Sequence, residues 1–153
     1  METSEFRNQF DTIAKRYGYT SAFRGWYKRS DECVLALELQ KSSYSRLYYL
    51  NIYPFVGGYF NNYHKSDVKV TRDTIRGKDK MFFRREDKKY SPLFDLENNI
   101  TNDKRLKGLE TFFIEWLLPF TDKAITKRGM LKLIDQGQLD ASKMNIAAIE
   151  ALL

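Results

Sequence analysis

The sequence predicts an α+β domain: an N-terminal helix, an antiparallel β-meander with one or two extra short strands, and C-terminal helices packed on the sheet. Three patterns carry this. Phe6, Phe10, Ile13, Ala14 and Tyr17 form one stripe of a 3.6-residue period. Leu35, Leu37 and Leu39 alternate with Ala36, Glu38 and Gln40, and Tyr48, Leu50 and Ile52 alternate with Tyr49, Asn51 and Tyr53, a two-residue period repeated twice. Leu106, Leu109, Phe113, Trp116, Leu117 and Phe120 then return to helical spacing.

In chain order, residues 4–17 read as the first helix. Thr3 or Ser4 is placed to cap its free N–H groups, Lys15 and Arg16 complement its negative end, and Gly18 supplies a left-handed stop. Residues 23–29 read as one strand, with Phe23 and Tyr27 on one face and Arg24, Trp26 and Lys28 on the other. Residues 34–40 and 47–53 complete a three-strand meander, turned by the polar 29–32 and 41–46. Pro54 and Gly57-Gly58 end the regularity. Residues 68–70 and 80–84 supply short strands, the second centred on Met81, Phe82 and Phe83, with residues 93–96 packed against it. Residues 102–118 predict a long amphipathic helix that Pro119 closes or kinks. Helices at 124–135, with Gly129 inside and Gly137 as a stop, and at 142–153 finish the chain. With no internal repeat, low-complexity stretch or linker, residues 1–153 read as one domain.

At 153 residues the chain is long enough to bury about 70% of the surface its unfolded form exposes, so no disulfide or metal is required to hold it. Eleven Phe and ten Tyr make an aromatic core. The single cysteine, Cys33, reads as a buried small hydrophobe rather than a nucleophile. The first ten residues carry charge at once and lack an apolar h-region, so a secretory signal is not expected. The longest apolar run, residues 112–120, is too short for a membrane span. The expectation is a cytoplasmic protein with no membrane partner.

The formal net charge is +6. Residues 69–89 hold nine basic and four acidic residues, a local balance of +5, and such a concentration steers acidic partners. Within it Arg72, Arg76, Lys78 and Lys80 are candidates for an acidic protein surface or a phosphate backbone. The plainer reading is a solvated connecting segment.

No constellation in the chain names a reaction. His64 is the only histidine and has no second His or Cys at ligand spacing, so no metal or cofactor is expected and a loop histidine is the default. GxSxG, Walker A, HExxH and CxxC patterns are absent. Lys41-Ser42-Ser43 could hold an anion, but polar turn chemistry explains the same residues. The most informative surface is the sheet face opposite the leucines, where alternation places Trp26, Glu38, Gln40, Tyr49, Asn51 and Tyr53. Rings with polar tips suit interfaces. Either the helices leave this face open for a partner, or they cover it and its polar groups bond internally. The leading functional reading is a non-enzymatic binding or protein-interaction domain, with an immunity protein that neutralises a partner toxin as one concrete form. A nucleic-acid-binding domain using residues 69–89, and a small hydrolase or transferase, are the alternatives.

Several stretches, in order, resemble the domain of unknown function family numbered 4304. They are Tyr17-Gly18-Tyr19 with the following RGWYKR, the strand ending LELQKSS, the returning LYYLNIYP, the segment RDTIRGKDKMFF and the helix-end LLPF. Where that pattern leads one to expect tryptophans after G-x-D, this chain has Phe82 and Phe83, which keep the apolar bulk but not the indole N–H. The resemblance implies an α+β fold and a bacterial origin, and transfers no activity or catalytic residue.

Overall fold

Helix α1, Thr3–Arg16, buries Phe6, Phe10, Ile13 and Ala14, the stripe that its sequence predicts. The computed structural model describes residues 1–22, 24–56 and 82–141. The helix starts without the expected cap from Thr3 or Ser4. Both lie inside it, and Glu2 occupies the cap position with no side-chain bond. Its end follows the sequence closely: Gly18 sits at φ 89°, and its N–H bonds to Lys15 O while that of Tyr19 bonds to Ala14 O. Both bonds satisfy carbonyls that the helix end leaves free, and the left-handed φ suits a residue without Cβ.

Strands β1 (Thr20–Ala22), β2 (Gly25–Arg29), β3 (Cys33–Lys41), β4 (Tyr48–Val56), β5 (Phe82–Arg85) and β6 (Asp140–Ala141) form one antiparallel sheet in chain order. The single strand expected at 23–29 is instead the second arm of a tight hairpin, turned at Arg24 with φ 64°. Phe23 lies outside the described residues. The register then decides the faces. Trp26 stands opposite Leu37 and Tyr27 opposite Ala36, so Trp26 joins the leucine face and not the Glu38 face on which alternation alone had placed it. A shift of one residue in pairing exchanges the two faces of a strand, and here the polar turn 30–32 sets it: Ser30 N–H bonds to Cys33 O, and Ser30 Oγ accepts from Cys33 N–H at 3.0 Å. Trp26 is 3% exposed, packs on Phe10 and donates its indole N–H to Asp11 Oδ1 at 2.8 Å.

On the leucine face, Leu35, Leu37, Leu50 and Ile52 are fully buried under a layer of rings. Phe6 stacks on Tyr48, Phe10 meets Phe113, and Phe94 meets Phe112 edge-on. The segment 93–96, expected to pack near β5, is entered through a short helix α2, Ser91–Phe94, which places Phe94 against both Phe6 and Phe10. Cys33 lies on this face with Sγ 3.7 Å from Met130 Sδ. Burial pushes its thiol up to about 12, in keeping with the reading of a small hydrophobe.

The long helix expected over 102–118 is three consecutive pieces: α3 (Asn102–Phe112), a wide π-turn (Phe113–Leu117) and α4 (Leu118–Ala124). Pro119 does not close it. Leu118 N–H bonds to Phe113 O, five residues back, and this widened turn immediately precedes the proline, which has no N–H and whose ring would crowd a regular turn. Helix α5, Lys127–Asp135, begins later than the predicted residue 124, where Thr126 Oγ1 accepts from Gly129 N–H at 3.0 Å. The predicted strand at 68–70 and helix at 142–153 lie outside the described residues.

Leu37→Ala is expected to cost about 2–5 kcal/mol in urea unfolding, because the substitution loses transfer energy and leaves a hole between ring layers. Gly129→Ala is expected to destabilise by about 1–3 kcal/mol although alanine is the better helix former, since a Cβ there collides with the backbone carbonyl of Lys123. A rise in melting temperature for Gly129→Ala would show that α4 and α5 are not held in this contact.

Candidate docking face of the sheet

The face opposite the leucines is built from the other half of the same alternation. Across four strands Gly25, Glu38, Asn51 and Arg85 stand in one row, flanked by Gln40 opposite Tyr49 and by Ala36 opposite Tyr53. The row beyond pairs Val34 with Phe55. This face has two halves. Val34, Ala36, Tyr53 and Phe55 form a buried apolar cluster with Tyr27 and Phe83 against it, whereas Gln40 and Arg85 are exposed and Glu38 and Tyr49 are half-buried. Among the described residues, the helices contribute their apolar side chains to the leucine-face core. Among the described residues it is therefore not the helices that cover this face; its apolar half is nonetheless buried, while Gln40 and Arg85 meet solvent.

The polar half is a connected network. Asn51 is only 1% exposed, yet its amide is fully used: Nδ2 donates to Gln40 Oε1 at 2.9 Å and to Glu38 Oε1 at 3.5 Å, and Oδ1 accepts from Arg85 Nε at 3.1 Å. Burying an amide is tolerable only when its bonds are made. Arg85 Nη2 also donates to Gln40 Oε1 at 3.3 Å, and the guanidinium carbon lies 4.4 Å from the centroid of the Tyr49 ring. Tyr53 adjoins the network. Burial, then the charge of Glu38, pushes its phenol up to about 12 while Arg85 and Asn51 pull the other way, so it remains neutral and is no base at ordinary pH.

Where β5 ends, a side chain continues the ladder. Glu86 N–H bonds to Leu50 O at 3.2 Å and Glu86 Oε2 accepts from Leu50 N–H at 2.9 Å. The carboxyl is buried, and that burial raises its pKa above the ordinary value of 4.5 against the opposing pull of two backbone N–H donors and Arg85. A cleft of about 370 Å³ along this edge is lined by Phe83, Arg85, Lys88 and Asp140 among others.

Of the residues singled out from sequence, Glu38, Gln40, Tyr49, Asn51 and Tyr53 share this face, Tyr53 within its apolar half. Trp26 is on the other side. Arg72, Arg76, Lys78, Lys80 and His64 lie outside the described residues. The phenylalanine pair is split by strand alternation: Phe82 is fully buried in the core, and Phe83 lies on the outer face beside Tyr53, ring centroids 5.6 Å apart. Lys41-Ser42-Ser43 behaves as a turn, with Ser42 N–H on Leu47 O and Ser42 Oγ accepting from Tyr44 N–H. The residue that sequence reasoning did not place in the site is Arg85. Its signal was the pattern Phe82-Phe83-Arg84-Arg85, which as a strand sends Phe83 and Arg85 to one face together.

Residues 10–123 match the family described as Domain of unknown function (DUF4304). The chain belongs to this family. The DUF4304 match takes in strands β1 to β5 and every residue of the polar network. No curated protein and no solved structure matches the chain. Among the described residues, no helix is long and apolar enough to cross a membrane.

The sign of the Glu86 effect follows from its raised pKa. The folded state holds this proton more tightly than the unfolded state does, so the contribution of Glu86 falls as pH climbs from 4.5 through the raised folded value, and is constant above it. Melts between pH 4 and pH 7 should show Glu86→Gln with a shallower decline than wild type, its amide oxygen still accepting from Leu50. Glu86→Ala, which orphans that N–H, should lose about 1–3 kcal/mol at every pH. A steeper decline in Glu86→Gln would reverse the assignment.

Proposed function

We propose that this chain is a non-enzymatic protein-interaction domain of a cytoplasmic bacterial protein, and that a partner with an acidic surface docks on the polar half of the outer sheet face. The supporting observation is the fixed, exposed Arg85, stacked on Tyr49 and bonded to Asn51 and Gln40. Arginine and tyrosine are enriched among residues that dominate binding energy, and ordering them in advance lowers the entropy lost on association. Burial pushes the Cys33 thiol and the Tyr53 phenol up to about 12 and the Tyr19 phenol higher still, which suits packing better than proton transfer or nucleophilic attack. An immunity protein that neutralises a toxin is the concrete form of this reading.

The test is a footprint with the purified product of a neighbouring gene. Hydrogen exchange in the complex should slow over residues 36–53 and 82–86. Arg85→Glu should weaken binding at least about tenfold through charge opposition, while Lys104→Glu, on an exposed site of α3, should leave it unchanged. Steeply salt-dependent binding to generic DNA or RNA with protection elsewhere would instead favour a nucleic-acid role. Turnover lost on changing Glu38 would favour an enzyme.

A further inference from the structure

The geometry of Arg85 is fixed by neighbouring side chains before any partner arrives. The described ion pairs join Lys15 to Asp11, Arg16 to Glu110 and Arg46 to Glu2, and Arg85 is in none of them. Instead its Nε is held by a buried amide, Asn51 Oδ1, one Nη2 proton by Gln40 Oε1, and its plane by the Tyr49 ring, with Phe83 as a second ring at 5.8 Å. A guanidinium carries five N–H donors. These two bonds leave three of them without a partner among the described residues, on a side chain that is itself exposed.

We infer that Arg85 is a preformed receptor for a carboxylate, taking an Asp or Glu side chain from an acidic segment of the protein partner. This deepens the docking reading given above and rests on it. The chemistry favours a carboxylate because the remaining donors belong to one rigid fork, which matches two oxygens of a planar anion, and because a ring already covers one face of the cation and limits its hydration. Neutral Gln40 and Asn51 orient the cation without neutralising it. Glu86 feels this charge, but among the described residues no carboxylate forms an ion pair with Arg85, so its fork stays available to an incoming anion. Tyr49 and Gln40 are then positioning residues: they do not supply the charge but fix the plane in which it is offered.

The experiment uses the whole chain, labelled with ¹⁵N, at an ionic strength of about 20 mM so that screening is weak. A hexaglutamate peptide is the probe, with hexaglutamine as its neutral counterpart. Hexaglutamate should shift the Arg85 Nε–H resonance together with the side-chain amides of Gln40 and Asn51, saturably, and hexaglutamine should not. Arg85→Lys keeps the charge but loses the fork and should weaken binding about tenfold, the loss of about one charge-assisted bond. Tyr49→Ala should weaken it several-fold with the charge intact, Tyr49→Phe should behave as wild type, and Lys104→Gln should have no effect. Melting temperatures establish that each variant is folded. Equal affinities in wild type and Arg85→Lys, or an equal loss in Lys104→Gln, would reduce the attraction to the general positive field and overturn the inference. Stronger binding of inorganic phosphate or a thymidine oligonucleotide at the same resonances would overturn it in favour of a phosphate ligand. If the peptide fails while a protein complex still protects residues 36–53, the docking face stands and only this anchor is lost.

Discussion

Nine consecutive residue pairs join β3 to β4, from Cys33 opposite Val56 to Lys41 opposite Tyr48, and the strand period turns that pairing into two surfaces of different chemistry. On one, Leu35, Leu37 and Leu39 meet Leu50 and Ile52; on the other, Glu38 and Gln40 meet Asn51 and Tyr49. A fully buried leucine or isoleucine contributes about 1.5–3 kcal/mol, so sliding this pair by one residue would bring Glu38, Gln40 and Asn51 inward and expose that whole set. The helices, the rings and the outer network all take their positions from the resulting register.

The helical layer adapts to the sheet more than the sheet adapts to it. The π-turn ahead of Pro119 lets a single helical path continue to Ala124 while Phe112, Phe113 and Leu117 are all buried. At the other end of α3, Arg105 is 1% exposed and donates to Pro92 O and Leu93 O and to Asn98 Oδ1. Burial pushes its pKa down, but the guanidinium satisfies carbonyls at the end of α2 that the short helix leaves free. Cations thus serve this protein in two opposite ways: Arg105 holds backbone together inside, and Arg85 is held by side chains at the surface.

The link from fold to proposed docking is Asn51. Its Cα partners are Glu38 on β3 and Arg85 on β5, so one buried amide ties three strands through side chains as well as through the ladder. That arrangement gives a rigid polar surface at little conformational cost, since the groups that order Arg85 are themselves fixed by packing and strand pairing. Its neighbour Tyr53 belongs to the apolar half and anchors the network to the buried cluster.

The sequence by itself determined the elements with strong periods. The α1 stripe, the alternation of β3 and β4, the glycine stop at Gly18, the buried thiol and the α+β class were all legible, because each depends on residues close in the chain and on one clear burial contrast. It also placed Glu38, Gln40, Tyr49, Asn51 and Tyr53 on one face, since alternation within a strand requires no partner. Only the tertiary structure decided which side Trp26 takes, because five residues alternate equally well in either phase and the choice falls to the turns at Arg24 and Ser30. It alone decided that Pro119 is absorbed, since that depends on a wider turn which propensity does not encode. And it alone brought Arg85 to Asn51, a separation of 34 residues in sequence being no guide to a row fixed by strand pairing: the hydrogen bonds that make an arginine a site are long-range contacts, set by register rather than by composition.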